Sequence, residues 1–186
     1  MAILNPEIIE KIVKNSVDKF KTQEERIANI EKELQEKYPK FINKKAPIHF
    51  ISAGGTFGAV KILYASLTEY LIIYGTMFGN SGPSGRFPFK VRDFVVSGKI
   101  ATNLPSNPFK VNEFNPGQVT ILPPLKDNFY KMENNTWVVE YSIGLIPASI
   151  FSIFANLVTT FDFLGTISLA IDFTKNIFKN ILKFRF

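Results

Sequence analysis

Cysteine is absent from the 186 residues, and histidine occurs once, as His49. Without cysteine there is no disulfide framework, no thiolate metal site and no cysteine nucleophile. A single histidine excludes a multi-histidine metal centre and argues against a Ser-His-Asp triad. The opening "MAILNPEIIEKIVK" turns charged too soon for a secretory signal, and no run of about 20 strongly apolar residues follows it. The glycines of "SAGGTFG" have neither the Walker lysine nor dinucleotide spacing, so no phosphate loop is expected. Acidic residues are few beyond the first quarter of the chain: Glu69, Asp93, Glu113, Asp127, Glu133, Glu140, Asp162 and Asp172. Any proton chemistry therefore falls to carboxylates, lysine or tyrosine.

Aromatic residues are plentiful, with 19 phenylalanines, and the net charge is +6. Residues 1–45 mix charges almost evenly, with ten Lys/Arg and eight Asp/Glu. The later lysines are interleaved with Phe, Ile and Leu in a helical period. That arrangement suits an anionic membrane surface rather than nucleic acid.

Asn5 before Pro6, and Thr22 three residues ahead of Glu25, predict two N-terminal helices, the second opened by a capping box. "FISAGGTFGAVKILYASLTEYLIIYG" is apolar nearly throughout and reads as a buried helix. From Gly79 to Tyr141 short alternating runs separated by Pro, Gly and Asn predict antiparallel strands in a small barrel or sandwich. Asn134-Asn135-Thr136 is expected to be a tight turn. Beyond Pro147 two helices are expected, separated near Asp162; the first is short for a membrane span. In the last helix Asp172, Lys175, Asn176, Lys179 and Lys183 form a polar stripe. Ile167, Ala170, Ile171, Phe173, Ile177, Phe178, Ile181 and Phe184 cover the rest, which predicts a helix lying flat in a membrane interface.

Two carboxylates break the apolar pattern of their strands. In "NNTWVVEYSIG" alternation puts Trp137, Val139 and Tyr141 on one face and Val138 with Glu140 on the other. In "KVRDFVVSG" Asp93 shares a face with Val91 and Val95. Two carboxylates inside one barrel do not both ionise readily, and such a pair can hold a cation or move a proton.

The motifs "SAGGTFGA" (52–59), "LYASLTEYLIIYGT" (63–76), "GPSGR" (82–86), "NPG" (115–117), "NTWVVEY" (135–141), "IP" (146–147) and "DFL" (162–164) occur in order. Together they resemble the family of the fungal delta-8 to delta-7 sterol isomerase and the sigma non-opioid receptor. The resemblance implies an α+β fold: a cupin-like antiparallel β-barrel, an N-terminal helical segment and C-terminal amphipathic helices against the membrane. It implies one structural domain, divided as a charged helical segment (1–45), a buried helix and barrel (46–145) and the membrane-interface helices (146–186).

For function it implies catalytic Glu140 and Asp93, with Tyr70 steadying Glu140 and Tyr74 completing the ligand contacts; Glu69 is expected to be structural. The ligand is a sterol or cationic amphiphile, with no metal, no cofactor and no nucleic acid. The implied setting is the endoplasmic reticulum membrane, with association through the C-terminal helices and assembly as a trimer. Where family members carry histidines, this chain has Tyr64, Pro83 and Leu122. Isomerase and non-catalytic receptor are both compatible with the motifs.

Overall fold

The computed structural model describes residues 2–53 and 56–183. Helix α1 (Pro6–Lys19) starts as its sequence dictates: Asn5 Oδ1 accepts from the backbone N–H groups of Glu7 and Ile8, and Pro6 occupies the first turn. Helix α2 (Gln23–Lys37) opens with the expected capping box between Thr22 and Glu25. These contacts satisfy N–H groups that the first helical turn leaves without partners.

Ten strands follow: β1 (Ile48–Ala53), β2 (Thr56–Ala65), β3 (Glu69–Thr76), β4 (Asn80–Pro83), β5 (Phe89–Ser97), β6 (Ile100–Leu104), β7 (Asn107–Phe114), β8 (Val119–Leu122), β9 (Phe129–Met132) and β10 (Thr136–Gly144). The segment expected to be one buried helix is instead β1, β2 and β3. Its uniform apolarity has a different cause. β3 is buried along almost its whole length because both of its faces are covered, and such strands lose their alternation. Ser66 makes the turn into β3, its Oγ accepting from the N–H groups of Thr68 and Glu69. Gly54 and Gly55 of the glycine motif lie outside the described residues, as does Phe184. Asn135 sits in the tight turn expected before β10, with a φ of 56°.

The expected barrel is not closed. A six-stranded antiparallel sheet runs β1-β2-β3-β10-β5-β8, and a separate four-stranded sheet runs β4-β9-β6-β7. Among the described residues no strand pairing joins the two. On the outer face of the larger sheet, Ile9, Ile12, Ile30 and Leu34 from α1 and α2 pack on Leu71, Phe94, Val139 and Tyr141. Each such aliphatic side chain contributes about 1.5–3 kcal/mol on burial, which seats two helices whose other faces are charged. The inner face carries a second apolar cluster that includes Val60, Ile62, Val95, Val138, Met132 and Phe173.

After a 3-10 turn (Ile146–Ser149) come α3 (Ile150–Thr160) and α4 (Phe163–Lys183). Phe161 ends α3 in the left-handed conformation, φ 56°. Asp162 Oδ1 then accepts from Gly165 N–H at the start of α4. No described helix is long and apolar enough to cross a membrane. The faces of α4 differ from the expected stripe. Phe173 is buried against the inner cluster and Ile177 packs beside it. Asn176 is buried too, donating to Asp172 O at 2.9 Å. Phe163, Leu164, Ile167, Ile171, Phe178 and Leu182 are its exposed large apolar residues among those described. A helix that serves a core on one side and turns apolar groups outward on another cannot be divided into one polar and one apolar half.

Candidate functional site

Strands β10 and β5 are neighbours near the middle of the larger sheet, and their register places Glu140 directly opposite Asp93. Directly opposed residues share a face and bring their Cβ atoms to within about 4.5–5.5 Å. That face is the inner one, since Val138 on β10 and Val95 on β5 belong to the inner cluster while Val139, Tyr141 and Phe94 belong to the outer one. The alternation read from the sequence is therefore the alternation observed. β3 lies on the other side of β10 and turns Tyr70, Ile72 and Tyr74 inward, with Ile72 opposite Glu140 and Tyr70 opposite Ser142.

Tyr70 donates its hydroxyl to Glu140 Oε1. Thr120 of β8 donates to Asp93 Oδ2 at 3.1 Å. Asp93 Oδ1 and Ser142 Oγ are buried with no hydrogen-bond partner among the described residues. Asp93 and Glu140 lie deep among protein atoms, and each keeps some accessible surface. Burial pushes the Glu140 carboxyl up to about 8, helped by the charge of Asp93 and opposed by the Tyr70 hydroxyl. Burial also raises Asp93, to about 6, with Thr120 pulling the other way. Both shifts follow from removing charge from water, and that of Glu140 also from the like charge of Asp93 beside it. Burial and the neighbouring Glu140 push the Tyr70 phenol well above its ordinary range, so it stays a donor. At neutral pH this cluster can hold one proton and one negative charge between two carboxyls.

Of the residues expected at the site, Asp93, Glu140 and Tyr70 come together, and Tyr74 lies further along the same wall. Its hydroxyl accepts from Asn80 Nδ2 at 2.9 Å. Glu69 is fully buried on the opposite face, where it accepts from the N–H of Ile3 at 2.6 Å, the N–H of Leu4 at 3.3 Å and the Tyr141 hydroxyl at 2.8 Å. Tyr64 is buried in the outer cluster. Sequence reasoning missed Ser142, Thr120 and Tyr130. Ser142 was accessible to it, two residues beyond Glu140 on a period-two strand. Thr120 and Tyr130 were not, because only strand pairing and the apposition of the sheets bring them near. Among the described residues no group of three or more His, Asp or Glu side chains gathers at metal-binding distance.

The chain is thus a mixed helix-and-sheet protein with two opposed carboxylates on an inward, otherwise apolar sheet face. The family described as "ERG2 and Sigma1 receptor like protein" matches residues 1–185, and the chain belongs to that family. It is 34% identical over 160 residues to "Protein erg2 homolog" of Dictyostelium discoideum, covering 86% of this chain and 68% of that one. It is 33% identical over 164 residues to "C-8 sterol isomerase erg2" of Aspergillus fumigatus, covering 87% and 68%. It is 30% identical over 144 residues to "Sigma non-opioid intracellular receptor 1" of Danio rerio, covering 76% and 64%. Among solved structures, an RmlC-like cupin from Shewanella frigidimarina has a TM-score of 0.46 at 14% identity, covering 55% of this chain and 86% of that one.

Proposed function

We propose that this protein isomerises a sterol ring double bond from delta-8 to delta-7, using Asp93 and Glu140 as a coupled acid and base. The observation that carries the reading is their direct opposition on the inward, otherwise apolar face of the sheet, with Tyr70 donating to Glu140. The protonated carboxyl gives its proton to one alkene carbon, and the π electrons form that C–H bond, leaving a carbocation at the other carbon. The ionised carboxyl stabilises that cation, where low dielectric makes a fixed negative charge effective. A carboxylate then removes a proton from the neighbouring ring carbon, whose C–H electrons become the new double bond. The pair ends with the same number of protons it began with. No electrons are gained or lost.

The rest of the proposal concerns delivery. Exposed Phe151, Phe154, Val158 and Phe161 on α3 and its end continue into Leu164, Ile167 and Ile171 of α4. We take this apolar face as the one that meets a bilayer, in the endoplasmic reticulum, and supplies sterol to the inward face of the sheet. The chain acts as one structural domain in this scheme, assembled as a trimer.

Incubating the purified protein in liposomes with a delta-8 sterol, and resolving products by gas chromatography and mass spectrometry, tests the reaction. Conversion to the delta-7 isomer is expected, and Asp93→Asn or Glu140→Gln should each lower the rate by at least about 100-fold, the scale of positioned acid–base catalysis. Absence of conversion in a preparation that still binds a hydrophobic amine through Glu140 would assign the chain to the receptor class instead.

A further inference from the structure

The carboxylates stand on the inward face of the larger sheet, and polar chemistry that the reaction does not use stands across from it. β9 turns Tyr130 and Met132 inward against the inner cluster. β4 pairs with it so that Asn80 lies opposite Met132 and Gly82 opposite Tyr130. Asn80 Nδ2 donates to Tyr74 Oη at 2.9 Å and to Phe57 O at 3.0 Å, while its Oδ1 is buried with no donor among the described residues. The half-buried Tyr130 packs against the same inner cluster and feels the charge of Tyr74, so its hydroxyl end lies near this group. One acceptor of the cluster thus lacks a donor. Interior polar groups are nearly always paired, so a buried unpaired amide oxygen on this inward face points to an occupant.

The position is informative as well. Glu140 lies level with Ile72, and Tyr74 is two residues further along β3. At a strand rise of about 3.3 Å per residue that is roughly 7 Å. Burial, Tyr74 and the charges of Asp93 and Glu140 all push the Tyr130 phenol up, so it remains neutral and can only donate or accept as a hydroxyl.

We propose that Tyr130 and Asn80, with Tyr74 holding the asparagine, form a second polar pole of the pocket that recognises a hydroxyl group on the ligand. The ligand oxygen accepts from the Tyr130 hydroxyl, and its own proton goes to Asn80 Oδ1. The ligand class is a rigid, apolar alcohol whose cationic or protonated centre rests at Asp93 and Glu140 and whose oxygen lies some way along the ring system. This rests on the carboxylate reading above for the charged end only. An ether can satisfy Tyr130 but not Asn80, and a hydrocarbon satisfies neither.

Three matched probes test it: steroids with the same tertiary ring nitrogen, which mimics the cation, bearing a hydroxyl, a methoxy group or hydrogen at the distal ring carbon. Their affinities for the full chain are measured by calorimetry. The hydroxyl probe should bind roughly 3–10-fold tighter than the hydrogen probe, the scale of one or two neutral hydrogen bonds, with the ether between them. Tyr130→Phe should collapse that ratio to near one while leaving the hydrogen probe unchanged. Glu140→Gln should weaken all three and keep the ratio. A ratio near one in the wild type, or a ratio that survives Tyr130→Phe, overturns the proposal. If Glu140→Gln leaves every probe unaffected, the carboxylate reading fails instead, and the ratio still decides the second pole. Because the ratio is taken within each protein, a general loss of stability cancels.

Discussion

Tyr141 donates its hydroxyl to Glu69 at 2.8 Å, spanning from β10 to β3 on the outer face of the sheet. On the inner face the exchange runs the other way, with Tyr70 of β3 donating to Glu140 of β10. Two consecutive residues on each strand thus make reciprocal tyrosine–glutamate bonds through opposite faces. One glutamate is a structural anchor, the other the centre of the candidate site, and the pleat separates them completely.

The anchor makes the first prediction. Glu69 gathers two backbone N–H groups and a phenol into one fully buried carboxylate. Glu69→Gln keeps the shape but removes the charge that strengthens those bonds. It should cost about 2–3 kcal/mol in urea unfolding, and Tyr141→Phe about 1 kcal/mol. Faster amide exchange at Ile3 and Leu4 should accompany the first change. A loss below about 0.5 kcal/mol, the scale of a neutral surface substitution, would remove its structural role.

The carboxylate pair sets a pH dependence. Unfolded carboxyls titrate near about 4, whereas in the fold Glu140 is raised to about 8 and Asp93 to about 6. Between those limits the native state binds more protons than the unfolded chain, so this contribution to stability is full below about pH 4 and is lost as pH climbs to 8. Urea midpoints of the wild type should therefore fall across that window relative to an Asp93→Asn/Glu140→Gln double variant. Amine binding runs in the opposite sense and should strengthen as the pair loses its proton. Parallel midpoint curves for the two proteins would contradict the shared-proton description.

Gly75 carries the third. A Cβ at that position would lie 2.2 Å from Cδ2 of Trp137 on the neighbouring strand. Gly75→Ala must displace the indole, at a cost of about 1–3 kcal/mol for overpacking. Trp137 is the one tryptophan of the chain, so the displacement is read directly from its emission wavelength. An unshifted spectrum in a folded variant would mean that the ring does not rest on the glycine.

The helix pair makes the fourth. Phe151, Phe154 and Phe161 are 71%, 58% and 79% exposed, whereas Phe173 is 7% exposed. Replacing the first three with serine should release the protein from liposomes in flotation at low and at high salt, with little change in stability. Phe173→Ser should instead destabilise the fold by about 3 kcal/mol or more. Lysine attraction to anionic lipid is worth about 1 kcal/mol per residue and is screened by salt, so stripping by salt alone would place the contact on the lysines.

Much of the candidate site was legible because a strand with one core-facing side has a fixed parity. Once Val138 and Val95 are taken as inward, Glu140 and Asp93 follow, and no tertiary information is needed. The motif order then supplied Tyr70. Residues 50–75 were misread because a strand covered on both faces has no period to detect, and length alone resembled a buried helix. Tyr130 and Asn80 were beyond reach for another reason. Their strands are only four residues long and look like surface hairpins, and their inward side chains gain meaning only from the facing sheet. In α4 the expected stripe failed at Asn176, which is buried and bonds back to Asp172 of its own helix, while Asn180 outside the stripe docks on Ala65 O; which amides a helix buries depends on the surface it meets, not on its own period.

The carboxylates sit on strands at the middle of their sheet, while the C-terminal helices rest on its edge. Ser52 of β1 donates its N–H to Asn156 Oδ1 at 2.6 Å, His49 Nε2 lies 3.3 Å from Asp172 Oδ2, and Asn180 Nδ2 donates to Ala65 O at 3.0 Å. A fluctuation that frees α3 and α4 from β1 and β2 breaks none of the hydrogen bonds of the β3–β10–β5 ladder. Loosening Asn156 should therefore speed the escape of a preloaded sterol amine while the cross-strand opposition of Asp93 and Glu140 is kept, so that ligand residence can be tuned at the rim without rebuilding the strands that carry the carboxylates.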